Sequence, residues 1–140
     1  MHTEPQPLPC PCGSAVPYAA CCGRWHAGAL HLQAPSAEAL MRSRYSAYVL
    51  GRDDYLRDTW HRQTRPAGPL LPDPPVRWLG LELRRHAVPD ADHAVVEFVA
   101  RSKLGGRAAR LHETSRFVRQ GGRWYYVDGD LHGSGAHRSL

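Results

Sequence analysis

Hydrophobic and polar positions change their period once along this chain. From Ser36 to Gly51 the apolar residues Leu40, Met41, Tyr45, Tyr48 and Val49 recur at helical spacing, with Arg44 among them. Ser36 is a good N-cap, Glu38 falls in the first turn where the helix dipole favours a carboxylate, and Gly51 suits the position after the last turn. Asp53 is placed to cap a second, short helix whose partly apolar face carries Tyr55, Leu56, Thr59 and Trp60. The segment RPAGPLLPDPP, residues 65–75, holds five prolines and reads as a wrap-around loop. Beyond it the period becomes two, over residues 76–88, 93–104, 108–120 and 123–127, with Gly105-Gly106 and Gly121-Gly122 between the later stretches as hairpin turns. Helices followed by strands predict an α+β fold, the helices packed on one face of a curved antiparallel sheet.

The flanks are less regular. Residues 1–9 carry three prolines and read as a flexible N-terminus, residues 24–35 as a connector, and residues 131–140 (LHGSGAHRSL) as a disordered tail. The core domain is expected over residues 30–130. At 140 residues, 42% hydrophobic and 22% charged, the chain suits one modest soluble core and offers no apolar run able to span a bilayer. The start, MHTEPQPLPCPCG, lacks the basic and apolar segments of a secretory signal, so the cytoplasm is the expected compartment.

That compartment changes the meaning of the cysteines. Cys10, Cys12, Cys21 and Cys22 follow the pattern C-x-C-x8-C-C, with no cysteine elsewhere. Two close pairs on one short loop let a single chain close a tetrahedral shell of four sulfurs around zinc, and Gly13 and Gly23 follow the pairs where the backbone must turn. Disulfides are disfavoured by the compartment and by the strain of bridging adjacent Cys21 and Cys22. A C-x-x-C redox pair is missing, and the spacing is unlike that of ferredoxins. The expectation is one structural zinc per chain, held over residues 10–24, since four protein sulfurs leave no position open for substrate. Four thiolates and a dication together carry −2, which brings the formal charge of +5 to +3. With arginines scattered along the chain, that residual charge disfavours nucleic acid as a partner.

The stretch CPCGSAVPYAACCG resembles the SEC-C motif, a small zinc-binding knot named for the C-terminus of the translocation ATPase SecA. MRSRYSAYVLG, YLRDTWH, WLGLEL, VEFVAR, HETSRFV and RWYYVDGD resemble the YchJ-like family of bacterial proteins, so the likeness runs from Cys10 to about Asp130. It implies a nuclear-transport-factor-2-like (NTF2-like, cystatin-like) domain, a curved antiparallel sheet with N-terminal helices, behind the zinc knot. It also implies contacts with another protein or the ribosome through the knot. Two departures limit what carries over. The tail has none of the cysteines that form a second, lysine-rich knot in many relatives, and AVPYAA stands where SecA-like copies have a lysine-containing loop.

Folds of this type enclose a cone that serves as a pocket, an active site or merely a core. Its candidate lining is Arg42, Tyr45, Trp60, His61, Glu97, Arg101, Glu113 and Arg116, with Trp78, His86, His112, Trp124 and Tyr126 as further polar or aromatic candidates. Glu97, Arg101 and Glu113 alternate with apolar neighbours, so each must be paired or border a wet cavity. One arrangement pairs Glu97 or Glu113 with Arg42, Arg101 or Arg116 in a structural network. Another sets His61 against Glu113 as an acid–base couple. The chain lacks G-x-G-x-x-G, a P-loop and G-x-S-x-G. The sequence therefore favours a zinc-containing adaptor or interaction module over its alternative, a small enzyme or ligand-binding protein working in the cone.

Overall fold

The computed structural model describes residues 8–133. A single 3-10 turn, Tyr18–Ala20, leads to helices α1 (Gly23–His26), α2 (Ala37–Leu50) and α3 (Asp53–Asp58). Four strands follow, β1 (Arg77–Asp90), β2 (His93–Leu104), β3 (Arg107–Gln120) and β4 (Arg123–Leu131), in one antiparallel sheet of order β1-β2-β3-β4. The α+β reading holds.

Both expected ends of α2 are present. Ser36 Oγ accepts from the Ala39 N–H at 3.1 Å, and Gly51 closes the helix in the left-handed region at φ 71°. The second cap differs: Arg52 occupies the N-cap of α3, and Asp53 is the first helical residue. Its carboxylate accepts instead from the Leu70 N–H at 3.1 Å, which ties the proline-rich loop to the helix. The connector also departs from expectation, because α1 forms within it and buries Trp25 and His26.

Helix α2 is buried on an unusually broad face, including Leu40, Met41, Ser43, Arg44, Tyr45, Ala47 and Tyr48, because the sheet covers one side and α1 and α3 the other. The sheet contributes Ala94, Val96, Phe98 and Ala100 from β2, Leu111, Glu113, Ser115 and Phe117 from β3, and Tyr126 from β4. Even positions of β2 and odd positions of β3 thus face the helix, as the two-residue period of a strand requires. Residues after α3 extend the β4 edge: the Tyr126 N–H donates to the Thr59 carbonyl at 2.8 Å and the His61 N–H to the Tyr126 carbonyl at 2.7 Å. At the far end β4 runs to Leu131, and the His132 N–H donates to the His112 carbonyl at 2.8 Å. Leu131 is therefore the last residue of the sheet, and His132 is hydrogen-bonded to its end, where the sequence reads as a disordered tail. Residues 1–7 and 134–140 lie outside the described residues.

Candidate metal centre

The N-terminal knot is a loop closed on itself. The Cys10 N–H donates to the Val16 carbonyl at 2.9 Å and the Tyr18 N–H to the Leu8 carbonyl at 3.0 Å, while Pro9 and Pro17 bridge antiparallel. Leu8 and Pro9 thus belong to the knot rather than to a free leader. Gly13 turns the chain after the first cysteine pair at φ 85°. Gly23 is required for a different reason, since a Cβ there would lie 2.7 Å from the Tyr18 carbonyl oxygen, and only glycine lets α1 begin against that turn.

This closure gathers Cys10, Cys12, Cys21 and Cys22, whose sulfurs all lie within 4.8 Å of one another. All four are free thiols, three of them buried. The Cys12 and Cys21 sulfurs are 3.7 Å apart. A tetrahedral ion with metal–sulfur bonds of about 2.3 Å sets its ligands about 3.8 Å apart, so the spacing fits a single cation between them. Polar groups surround the sulfurs: Ser14 Oγ lies 3.2 Å from Cys21 Sγ, Ser46 Oγ 3.5 Å from Cys10 Sγ, and Arg42 Nη1 3.9 Å from Cys12 Sγ. Such groups donate to thiolates and hold them in orientation. Hydrogen bonding from the Cys22 thiol lowers the Cys12 pKa to about 4, and the same contact, with burial, pushes Cys22 up. The cluster therefore favours the thiolate at Cys12, the form in which sulfur binds metal. Four sulfurs in this arrangement can hold one metal ion.

The knot is braced against α2 by residues that the sequence pattern does not single out. The Tyr18 hydroxyl donates to His26 Nδ1 at 2.6 Å, and His26 Nε2 donates to the Ser43 carbonyl at 2.7 Å. Burial pushes the His26 pKa below its ordinary value. This fits a neutral ring whose one proton sits on Nε2. Ser43 in turn shares a 2.7 Å hydrogen bond with the Tyr55 hydroxyl on α3.

The proposed cone lining divides into three groups. Arg42 belongs to the metal centre, with Nη1 donating to the Cys12 carbonyl at 3.1 Å and Nε 3.5 Å from Glu38. Tyr45, Trp60 and Glu113 do face the interior. Tyr45 packs edge-on to Trp78 at 5.7 Å, and burial raises its pKa to about 12. Glu97, Arg101 and Arg116 lie on the opposite, outer face of the sheet, since Val95, Glu97 and Val99 occupy the odd positions of β2. Glu97 meets His112, Arg101 meets Glu82 at 3.7 Å, and Arg116 is held by Asp128 at 2.6 Å and Asp130 at 2.7 Å. None of the arginines proposed for Glu97 or Glu113 is its partner.

Inside the cone, Glu113 is fully buried, accepts from the Ser115 hydroxyl and accepts from the Tyr126 hydroxyl at 2.9 Å. Arg44, also fully buried, lies over the rings of Tyr126 at 4.7 Å and Trp60 at 5.0 Å, and Nη1 donates to the Leu56 carbonyl and Thr59 Oγ1, each at 2.8 Å. Burial lowers the Arg44 pKa, while Glu113 acts in the opposite sense. His61 is not the partner of Glu113: its Nε2 lies 2.9 Å from Gln120 Oε1, near the outer rim. The acid–base couple is therefore not assembled, and Arg44 holds the interior position for which Arg42 was a candidate.

Comparison with known proteins agrees with this architecture. Residues 8–24 match the model of the SEC-C motif, and residues 36–129 match that of the YchJ middle NTF2-like domain. A UPF0225 protein of Bordetella parapertussis is 59% identical over 125 residues, covering 89% of this chain and 94% of that one, and a UPF0225 protein of Methylibium petroleiphilum is 62% identical over 125 residues, covering 89% and 90%. The solution structure of a SEC-C motif containing protein from Rhodopseudomonas palustris superimposes with a TM-score of 0.75 at 34% identity, covering 88% of this chain and 98% of that one. The crystal structure of a sec-c motif containing protein from Psychrobacter arcticus gives 0.72 at 29% identity, covering 92% and 85%. By these matches, over both the cysteine knot and the helix-and-sheet domain, the chain belongs to the YchJ-like, UPF0225 family of bacterial proteins.

Proposed function

We propose that the chain is a cytoplasmic interaction module in which one structural zinc, held by Cys10, Cys12, Cys21 and Cys22, fixes a surface that docks another protein. The observation that carries this reading is a largely apolar cavity of about 590 Å³ shared by the knot and the end of α2, lined by Leu8, Pro9, Pro11, Tyr18 and Leu50, with Arg52 beside them. Leu8 is 80% exposed and Leu50 46% exposed. Apolar side chains of this size left in water on a rigid support favour burial by a partner. The occupant that suits it is a short apolar segment carrying a carboxylate for Arg52. Zinc rather than a harder cation follows from four thiolate ligands, and reduced thiols suit the cytoplasm. Among the described residues no helix is long and apolar enough to cross a membrane.

The interior of the cone supports the same reading over an enzyme. Arg44, Tyr45, Phe98, Glu113, Phe117 and Tyr126 are all fully buried between α2 and the sheet, and Glu113 Oε2 is engaged by Ser115 and Tyr126. The test is quantitative pull-down from bacterial extract with three proteins: wild type, a Leu8→Asp/Leu50→Asp variant, and a Cys21→Ser/Cys22→Ser variant. The proposal expects proteins recovered by wild type to be lost from both variants, with zinc content unchanged in the first. Identical recovery from all three overturns it.

A further inference from the structure

The outer face of the sheet carries a second set of metal-ligating side chains, remote in sequence from the cysteines. Glu97 on β2 stands opposite Thr114, and His112 lies two residues before Thr114 on the same face of β3. The hydrogen bond from the His132 N–H to the His112 carbonyl sets His132 beside His112 at the end of β4. Three neighbouring strands thus bring one carboxylate and two imidazoles together. Glu97 Oε2 is 2.7 Å from His112 Nε2, the His112 and His132 rings stack with centroids 4.0 Å apart at 11°, and one ligand atom from each residue lies within 4.8 Å of the others.

We propose that Glu97, His112 and His132 form a binding site for a borderline divalent cation of the zinc class, distinct from the cysteine centre. A carboxylate with two imidazoles is a donor set for zinc or nickel and a poor one for magnesium or calcium, which demand oxygen. The 2.7 Å contact between Glu97 and His112 is a hydrogen bond, and a dication takes the place of its proton, which passes to solvent, with a small widening of the pair. The Thr114 hydroxyl, 2.6 Å from His132 Nε2, is a polar partner of the second ring. His132 is exposed and Glu97 and His112 are half-buried, so the His132 ring can turn out of its stack on His112 to close on the ion while the first two ligands stay in place. Three protein ligands leave a tetrahedral cation one position for water, so this site, unlike the cysteine centre, is open to an exogenous ligand.

The experiment uses tag-free full chain already carrying its cysteine-bound zinc, shown by elemental analysis, titrated with further zinc by calorimetry while the imidazole resonances are followed by NMR. The proposal expects one further equivalent that shifts the His112 and His132 signals. Glu97→Gln, His112→Ala and His132→Ala should each weaken it at least about tenfold, with the first zinc retained. His93→Ala, which removes an imidazole paired with Asp90 elsewhere on the protein, should leave it unchanged. His132 lies beyond the last strand residue, so its variant keeps the fold and the test stands if the other two do not. Absence of a second equivalent from wild type, or wild-type affinity in the His132→Ala protein, overturns the proposal without bearing on the cysteine centre.

Discussion

The Arg42 guanidinium on α2 donates to the carbonyl of Cys12 at 3.1 Å and lies 3.9 Å from the Cys12 sulfur. One cation therefore steadies both the loop that presents the thiolates and a thiolate itself. Arg42→Gln is expected to raise the rate at which a chelator strips the metal, with an affinity loss of about tenfold or more, the usual cost of removing an outer-shell partner. Because Arg42 is half-buried at the knot and not within the cone, the melting temperature of the metal-loaded variant should change little. Competition with a colorimetric chelator measures the first effect, and thermal unfolding the second.

Metal removal should act locally. The knot spans few residues and joins the common core chiefly through its cysteines and Trp25, so binding of the ion supplies much of its order, whereas α2 and the sheet contribute most of that core. Chelation is expected to erase the dispersed amide resonances of residues 10–24 and to leave those of β1 to β4 largely in place. Loss of both sets would show that the two parts unfold as one.

Acidification should loosen the brace through His26. Burial depresses its pKa in the folded protein, so the unfolded chain takes up the proton first as the pH falls. The stabilising contribution is complete above the unfolded-state value of about 6.5 and is lost as the pH drops from there through the lower folded-state value, with a limiting slope of about 1.4 kcal/mol per pH unit. Denaturant titrations at several pH values on wild type and His26→Gln isolate the effect, since acid release of metal is common to both. Parallel curves for the two proteins would remove His26 as the cause.

The interior polar cluster should be intolerant of change. Glu113→Ala removes the carboxylate that favours the buried Arg44 cation and that accepts from the Ser115 and Tyr126 hydroxyls. A loss of about 1–3 kcal/mol is expected, the range for leaving a buried polar group unsatisfied. Gly129 packs directly on the same side chain: a Cβ there would come within 2.5 Å of Glu113 Oε2. Gly129→Ala should therefore cost about 1–3 kcal/mol through overpacking. Urea unfolding measures both.

Much of this architecture is legible in the sequence because its signals are local. Ser36 and Gly51 mark α2 through the chemistry of helix ends, and the two-residue period marks each strand. The cysteine spacing marks the knot. Period alone leaves open which of a strand's two faces is inner, and for this reason Glu97 reads as an interior candidate when it is an outer one. Its apolar neighbours Val95 and Val99 share the outer face, while Ala94, Val96, Phe98 and Ala100 form the uninterrupted apolar row that faces α2. Arg44 is hard to recognise as a core residue because its partners, Leu56 and Thr59 at the end of α3 and Tyr126 on β4, come from two separate places in the chain. Even so, an arginine within the Leu40, Met41, Tyr45, Tyr48 stripe is itself the signal of a buried cation. His26 and His132 lie in segments with no clear hydrophobic period, and their partners Ser43 and His112 are distant in sequence. Only the fold brings them together.

The central claim is that four sulfurs close around one cation, and X-ray absorption at the zinc edge on tag-free protein purified without chelators, combined with elemental analysis, tests it most directly. One zinc per chain with four sulfur neighbours at about 2.3 Å is the predicted result. Metal-free protein in which Cys10 or Cys12 is bridged to another sulfur would contradict it.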